Sequence, residues 1–215
     1  RLKLLMVHQK LGTMYDKSER MKRLAAAFAG RLGCDKNLLA RACELSKNDL
    51  VTEMVKEFPS LQGVVGDYYA KASGESREVA FALREQYLPK GERLPETLPG
   101  SDLGSALSLL EKLDHLVGCF ASGESPTGSS DPYGLRRSAN ALFKIILAMK
   151  WDLPLQEMIQ VNTGLLPELL TRQEGRRERL LSFLEERFKA ILKEEGFRED
   201  LISAVELGDE RAAQK

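Results

Sequence analysis

The chain has 215 residues and 24.0 kDa, with 43% hydrophobic, 30% charged and 7% aromatic residues. Lys plus Arg and Asp plus Glu each number 32, so the formal net charge is zero. That excludes a generally basic nucleic-acid coat and leaves any polyanion contact to a local patch.

The longest apolar run, Leu24 to Ala29, is six residues, far short of the roughly 20 that span a bilayer. Three cysteines (Cys34, Cys43 and Cys119) are an odd number without ligand spacing, which argues against a disulfide framework or a zinc knuckle. A soluble protein from a reducing compartment, with no membrane partner, is the expectation. The opening Arg1-Leu-Lys-Leu-Leu5 lacks both an initiator Met and a secretory signal, so an interior piece of a longer protein is expected.

Almost every segment reads helical. Asp16 is expected to cap a first helix, with Glu19 completing a capping box before Met21, Leu24, Ala25 and Phe28. Asp35 caps a second, whose apolar stripe from Leu38 to Val55 runs on until Pro59 stops it. Shorter helices follow through Leu61 to Tyr69 and over 76–87, then a proline-bearing loop at 89–101. The segment 103–120 repeats leucines at helical spacing. After a Gly/Ser loop, Asp131-Pro132 is expected to start a helix running to Trp151, with proline at the first helical position. A short helix over 155–161 is broken by Asn162-Thr163-Gly164. A long amphipathic helix over 175–195 stops at Gly196, and a last helix spans 198–207 before a frayed tail at 208–215. No alternating strand pattern is convincing. The fold class is therefore all-α, with a bundle over 1–152 and a smaller helical linker over 153–215.

Two basic stretches stand out. Arg136 and Arg137 fall in the first turn of their helix, where they oppose the positive end of the helix dipole. Such arginines suit a bidentate phosphate or an internal carboxylate such as Asp49, Glu53 or Asp114. Lys10, Tyr15, Lys17, Arg20, Lys22 and Arg23 form a second patch, for which a solvated helix face is the competing reading. The arginines and lysines of 172–193 alternate with glutamates, which fits an exposed helix with i,i+4 pairs. The turn Phe58-Pro-Ser-Leu-Gln-Gly63 reads as a tight corner between helices, with Gln62 as a possible contact to RNA or a partner. Tyr68 and Tyr69 are expected to be one core residue and one edge residue.

His8, Asp49 and Asp114 lie where an HD-type phosphohydrolase would carry metal ligands from separate helices, its cation activating a water. The imidazole expected beside Asp49 is replaced by Asn48, a weak ligand. His115 adjoins Asp114 but points about 100° away around the helix. The expectation is a vestigial site, His8, Asn48, Asp49 and Asp114, without metal and without catalytic residues. An active metal-dependent phosphohydrolase is the alternative.

Three long strings stand in order: His8-Gln-Lys-Leu-Gly-Thr-Met-Tyr-Asp-Lys-Ser-Glu-Arg20, Asp49-Leu-Val-Thr-Glu-Met-Val-Lys-Glu-Phe-Pro-Ser-Leu-Gln-Gly63, and Asp131-Pro-Tyr-Gly-Leu-Arg-Arg137. Tyr69-Ala70, Tyr87-Leu-Pro89 and Lys112-Leu-Asp114 lie between them. Together they closely resemble the middle of the beta subunit of the bacterial-type, α2β2 glycyl-tRNA synthetases, over essentially the whole chain.

The resemblance implies a non-catalytic portion of an aminoacyl-tRNA ligase, an HD-like domain with decayed ligands followed by a linker. Its implied partners are glycine tRNA, the alpha subunit that carries aminoacylation, and the remaining beta-subunit domains, including an anticodon-binding domain. It implies no cofactor on this segment, ATP and Mg2+ serving the holoenzyme, and a bacterial cytoplasm or plastid stroma. Arg136, Arg137, Lys10, Lys17 and Arg20 become the candidate tRNA contacts. A purely architectural domain without tRNA contacts is the other alternative.

Overall fold

Thr13, not Asp16, caps the first helix. Its backbone is extended (φ −95°, ψ 171°), its hydroxyl accepts from Asp16 N–H, and Asp16 accepts from Thr13 N–H in return. Asp16 thus occupies the third helical position of the capping box, and Glu19 pairs with Lys22 instead. The cap falls at Thr13 because a short antiparallel hairpin, β1 (Met6–His8) and β2 (Gly12–Thr13), delivers the chain there. This hairpin puts His8 on a strand, not at a helix entrance. Two paired segments of three and two residues are too short to show an alternating pattern in sequence.

The computed structural model describes residues 1–90, 97–171 and 175–203. The features expected at Gly91, Pro95, Arg172, Glu174 and after Ser203 lie outside those residues. From α1 (Met14–Phe28) the order continues through α2 (Lys36–Leu45), α3 (Glu53–Glu57), α4 (Val64–Ala72) and α5 (Arg77–Glu85). Then come α6 (Asp102–Ser122), α7 (Leu135–Met149), α8 (Leu155–Gly164), α9 (Glu168–Thr171), α10 (Arg176–Glu194) and α11 (Glu199–Ser203). The protein is all-α apart from the hairpin.

Helix α6 is the axis. It contacts α1, α2, α5, α7, α8, α9 and α10, and its leucines at 107, 110, 113 and 116 are fully buried. Met158, Ile159, Leu180, Leu184 and Ile191 from beyond residue 152 join the same apolar cluster as Leu24, Leu110 and Leu142. The boundary at 152/153 is therefore a connection within one continuous core. Arg176 at the start of α10 donates to Ala121 C=O at the end of α6, and Lys10 donates to Ser122 C=O (2.9 Å). Both cations sit where the carbonyls of a helix end need donors. Among the described residues no helix is long and apolar enough to cross a membrane.

Several helix limits differ from the sequence expectation for local reasons. The run expected to continue to Pro59 breaks after α2, and a 3-10 turn at Asn48–Val51 leads to Thr52, which caps α3. Gly63 (φ +82°) then forms the corner, and a Cβ there would lie 2.8 Å from Arg84 C=O. Asn162-Thr163-Gly164 does not break α8: Thr163 bonds back to Ile159 C=O (2.8 Å) and Asn162 is fully buried. Tyr68 and Tyr69 are both exposed.

Asp131 does not open α7 through Pro132. Residues 131–134 make a turn, and the Asp131 carboxylate accepts from Leu135 N–H (2.8 Å) and Arg136 N–H (2.9 Å). One carboxylate thus satisfies two orphan donors at the helix start. Asp131→Ala should lower stability by about 1 kcal/mol, read as a lower denaturant midpoint with an unchanged slope.

Candidate functional site

The four expected metal positions diverge. Asp114 is buried (2% exposed) and lies between two cations of α1. Arg20 donates Nε to Oδ1 (2.7 Å) and Nη2 to Oδ2 (3.0 Å), while Lys17 donates Nζ to Oδ2 (3.3 Å). Asp49 accepts from Gly63 N–H (2.7 Å) and from the Tyr87 hydroxyl (3.3 Å). His8 faces Glu124 (3.6 Å) and stands T-shaped to the Tyr133 ring, and Asn48 is exposed. Among the described residues no three His, Cys, Asp or Glu side chains come together as a metal-holding set. The side chains that surround Asp114 carry positive charge themselves, so the residues present do not fit a divalent cation.

Glu111, one turn before Asp114, completes an internal charge cluster. Its carboxylate lies 3.4 Å from each of Lys17, Lys47 and Lys112. Burial alone would raise the Asp114 and Glu111 carboxyls; the surrounding lysines and Arg20 outweigh it. Asp114 is held below its ordinary range and Glu111 well below. Burial pushes the Lys47 and Lys112 ammonium groups down, against the attraction of Glu111. Burial likewise lowers His115, whose Nε2 pairs with Tyr133 C=O (2.8 Å). That bond ties α6 to the turn before α7. The three cysteines are free, and burial raises their thiols, that of Cys34 to about 11, so none is a poised nucleophile.

Lys17 (3% exposed) and Arg20 (5%) are thus interior residues, not surface contacts for a polyanion. Nor does either arginine of α7 pair with the carboxylates considered for it. Arg20 takes Asp114, Lys56 takes Glu53 (2.7 Å), and Asp49 is held by Gly63 and Tyr87. Arg136 donates to Gly128 C=O (2.6 Å). Arg137 is exposed and, among the described residues, has no carboxylate partner; its guanidinium folds over Gly134. A Cβ on Gly134 (φ +63°) would approach Arg137 Nη2 to 2.9 Å.

Arg137 instead lines an open cleft of about 460 Å³ above the charge cluster. Pro59 and Gln62 form one wall, Tyr87 and Lys90 another, Lys112 and His115 the α6 side, and Tyr133 and Ser138 the α7 side. Segments distant in sequence, 58–63, 87–89, 111–115 and 131–138, meet here. Gln62 sits in the corner of its turn and also lines the open cleft. Sequence reading missed Lys90, Lys112, Tyr87 and Tyr133, although three of them sit inside the motifs it singled out and Lys90 directly follows one.

A family model described as "Glycyl-tRNA synthetase beta subunit" matches residues 1–206. The chain belongs to the glycyl-tRNA synthetase beta subunit family. It is 44% identical over 198 residues to the glycine–tRNA ligase beta subunit of Pseudomonas syringae pv. syringae, covering 91% of this chain and 28% of that protein. It is 39% identical over 209 residues to that of Oceanobacillus iheyensis, covering 95% of this chain and 30% of the relative. The Chromohalobacter salexigens beta subunit is 39% identical over 204 residues, 95% of this chain and 29% of the relative. The chain thus spans under a third of the length of these family members.

Within this family member, the charge cluster makes a measurable demand on stability. Asp114→Asn leaves Arg20 and Lys17 buried without their full counter-charge and should cost about 3–5 kcal/mol. The folded carboxyls titrate below the unfolded ones, so the unfolded chain gains protons first as pH falls. Their stabilisation is complete above the ordinary values of 3.8 and 4.5 and is lost as pH falls through the lowered ones. Denaturant titrations between pH 7 and 3 should show Asp114→Asn both less stable at pH 7 and flatter on the acid side.

Proposed function

We propose that this segment is a non-catalytic part of a glycine–tRNA ligase that helps bind and position glycine tRNA. In this reading it is an HD-like helical body, with the helices of the 153–215 linker packed onto its core, joined to the remaining beta-subunit domains and to the alpha subunit. ATP-dependent aminoacylation takes place on the alpha subunit, and ATP and Mg2+ serve the reaction there. The compartment is a bacterial cytoplasm or a plastid stroma.

The observation that carries the tRNA reading is the cleft: four separate segments build it, and Arg137 and Lys90 bring to its rim positive charge that no described carboxylate neutralises. Backbone phosphates are the abundant anions of an RNA, and arginine binds them bidentately. Arg136 and Lys10 stand as weaker contacts, since each already donates to a carbonyl of its own chain. Lys17 and Arg20 support the site from within. A phosphohydrolase reading is disfavoured by the same two side chains, because they hold Asp114 where a metal would need it free.

In the reconstituted holoenzyme, Arg137→Glu should raise KM for tRNA by about tenfold or more and lower the salt slope of binding by about one. Glycine-dependent ATP–pyrophosphate exchange should be unchanged. Undiminished charging across a salt series would favour the purely architectural alternative. Asn48→His should gain no stoichiometric metal by elemental analysis after chelator-free purification; a bound ion with phosphodiester hydrolysis would revive the phosphohydrolase.

A further inference from the structure

We infer that the cleft seats a single unpaired nucleotide of the RNA, with its phosphate between Arg137 and Lys90 and its base against Tyr133. This rests on the tRNA-positioning reading and narrows what part of an RNA the site accepts.

The first argument is shape. A contact to duplex backbone needs only cations on a convex or flat rim. Here the walls descend to Lys112, which is 7% exposed, and to Glu111 beside it. A paired base cannot enter such a recess, whereas a nucleotide turned out of a stack can.

The second argument is chemistry. Ser60, Gln62 and Ser138 bring hydroxyl and amide groups to the cleft, and none of these side chains is hydrogen-bonded among the described residues. Such groups match the edges of a base or the hydroxyls of a ribose. A phosphate only accepts, so duplex backbone would use their donors and leave the Gln62 carbonyl oxygen without a partner.

The third argument is the aromatic pair. Lys47 lies 4.5 Å and Lys90 6.0 Å from the centre of the Tyr87 ring, and its hydroxyl is held by Asp49. Tyr87 is therefore a fixed wall that holds cations. Tyr133 is 38% exposed, lines the same cleft, and stands T-shaped to the His8 ring with centroids 6.2 Å apart. Its carbonyl is anchored by His115, which fixes the turn that carries the ring into the cleft that Arg137 also lines. An aromatic face beside a cation is the usual platform for an unstacked base.

Arg137, Lys90 and Tyr133 are exposed, so substituting them leaves the core intact. Calorimetric titration of the assembled ligase can use cytidine 5′-monophosphate, cytidine and inorganic phosphate as probes, cytosine keeping clear of adenylate chemistry. The nucleotide should bind more tightly than either part alone. Arg137→Ala and Lys90→Ala should each weaken it, and Tyr133→Leu should weaken it about tenfold without affecting phosphate. Saturating glycine tRNA should abolish its signal.

Equal binding of phosphate and nucleotide would overturn the proposal in favour of a general anion site. Undiminished nucleotide binding in the presence of tRNA would overturn it in favour of a free-nucleotide site. No nucleotide binding, with Arg137→Glu still impairing charging, would sink the nucleotide seat alone and leave a backbone contact standing.

Discussion

The Asp114 carboxylate, held by Arg20 and Lys17, is the interaction on which the arrangement depends. It sits inside a helix buried on every side, where an unpaired charge costs several kcal/mol. Its two cations come from one face of α1, three residues apart, so the pairing admits a single register of α1 against α6. Arg20 also donates to Leu11 C=O (3.1 Å), which brings the hairpin under the same constraint. Leu11 then packs against Gly118, on the face of α6 one turn beyond Asp114. A polar contact thus sets geometry that leucine packing alone would leave free to slide.

The same interior shapes the surface. Lys17, Arg20, Lys47 and Lys112 surround Glu111 and Asp114, with Asp49 acting on Lys47. The four cations exceed the three carboxylates by one positive charge. That excess lies beneath the cleft, in a medium that screens it less than water does. Arg137 adds to it from the rim and helps to hold Lys112 below its usual range. A chain with no net charge therefore presents a local positive recess.

Legibility in the sequence followed the range of the interaction. The helices at 36–45, 102–122, 135–149 and 176–194 were readable because leucine spacing and the Asp35 cap act within a few residues. The Thr13 cap was hidden because it depends on where a hairpin ends, and the hairpin is too short to declare itself. Asp131 was recognised as a helix start, but its role passes over Pro132 to amides four and five residues on. The family was legible in long strings, whereas the destination of each charge was not. Lys17 and Arg20 look like a solvated face, and only their partners 94 and 97 residues away show them to be interior.

A metal ion and a set of tethered cations solve one problem differently. Carboxylates on separate helices repel one another unless positive charge lies between them. A divalent ion supplies it but also brings open coordination positions and an activated water. Lysine and arginine supply it with donors that are used up on the carboxylates and cannot dissociate. The cluster therefore keeps the electrostatic function of a cation and removes its reactivity. Burial lowers the Lys47 and Lys112 ammonium groups, and Glu111 opposes it, so the charges of the cluster sustain one another. Their charge reaches the cleft through Lys112, while the tethered donors leave no open coordination position at which a water could be activated.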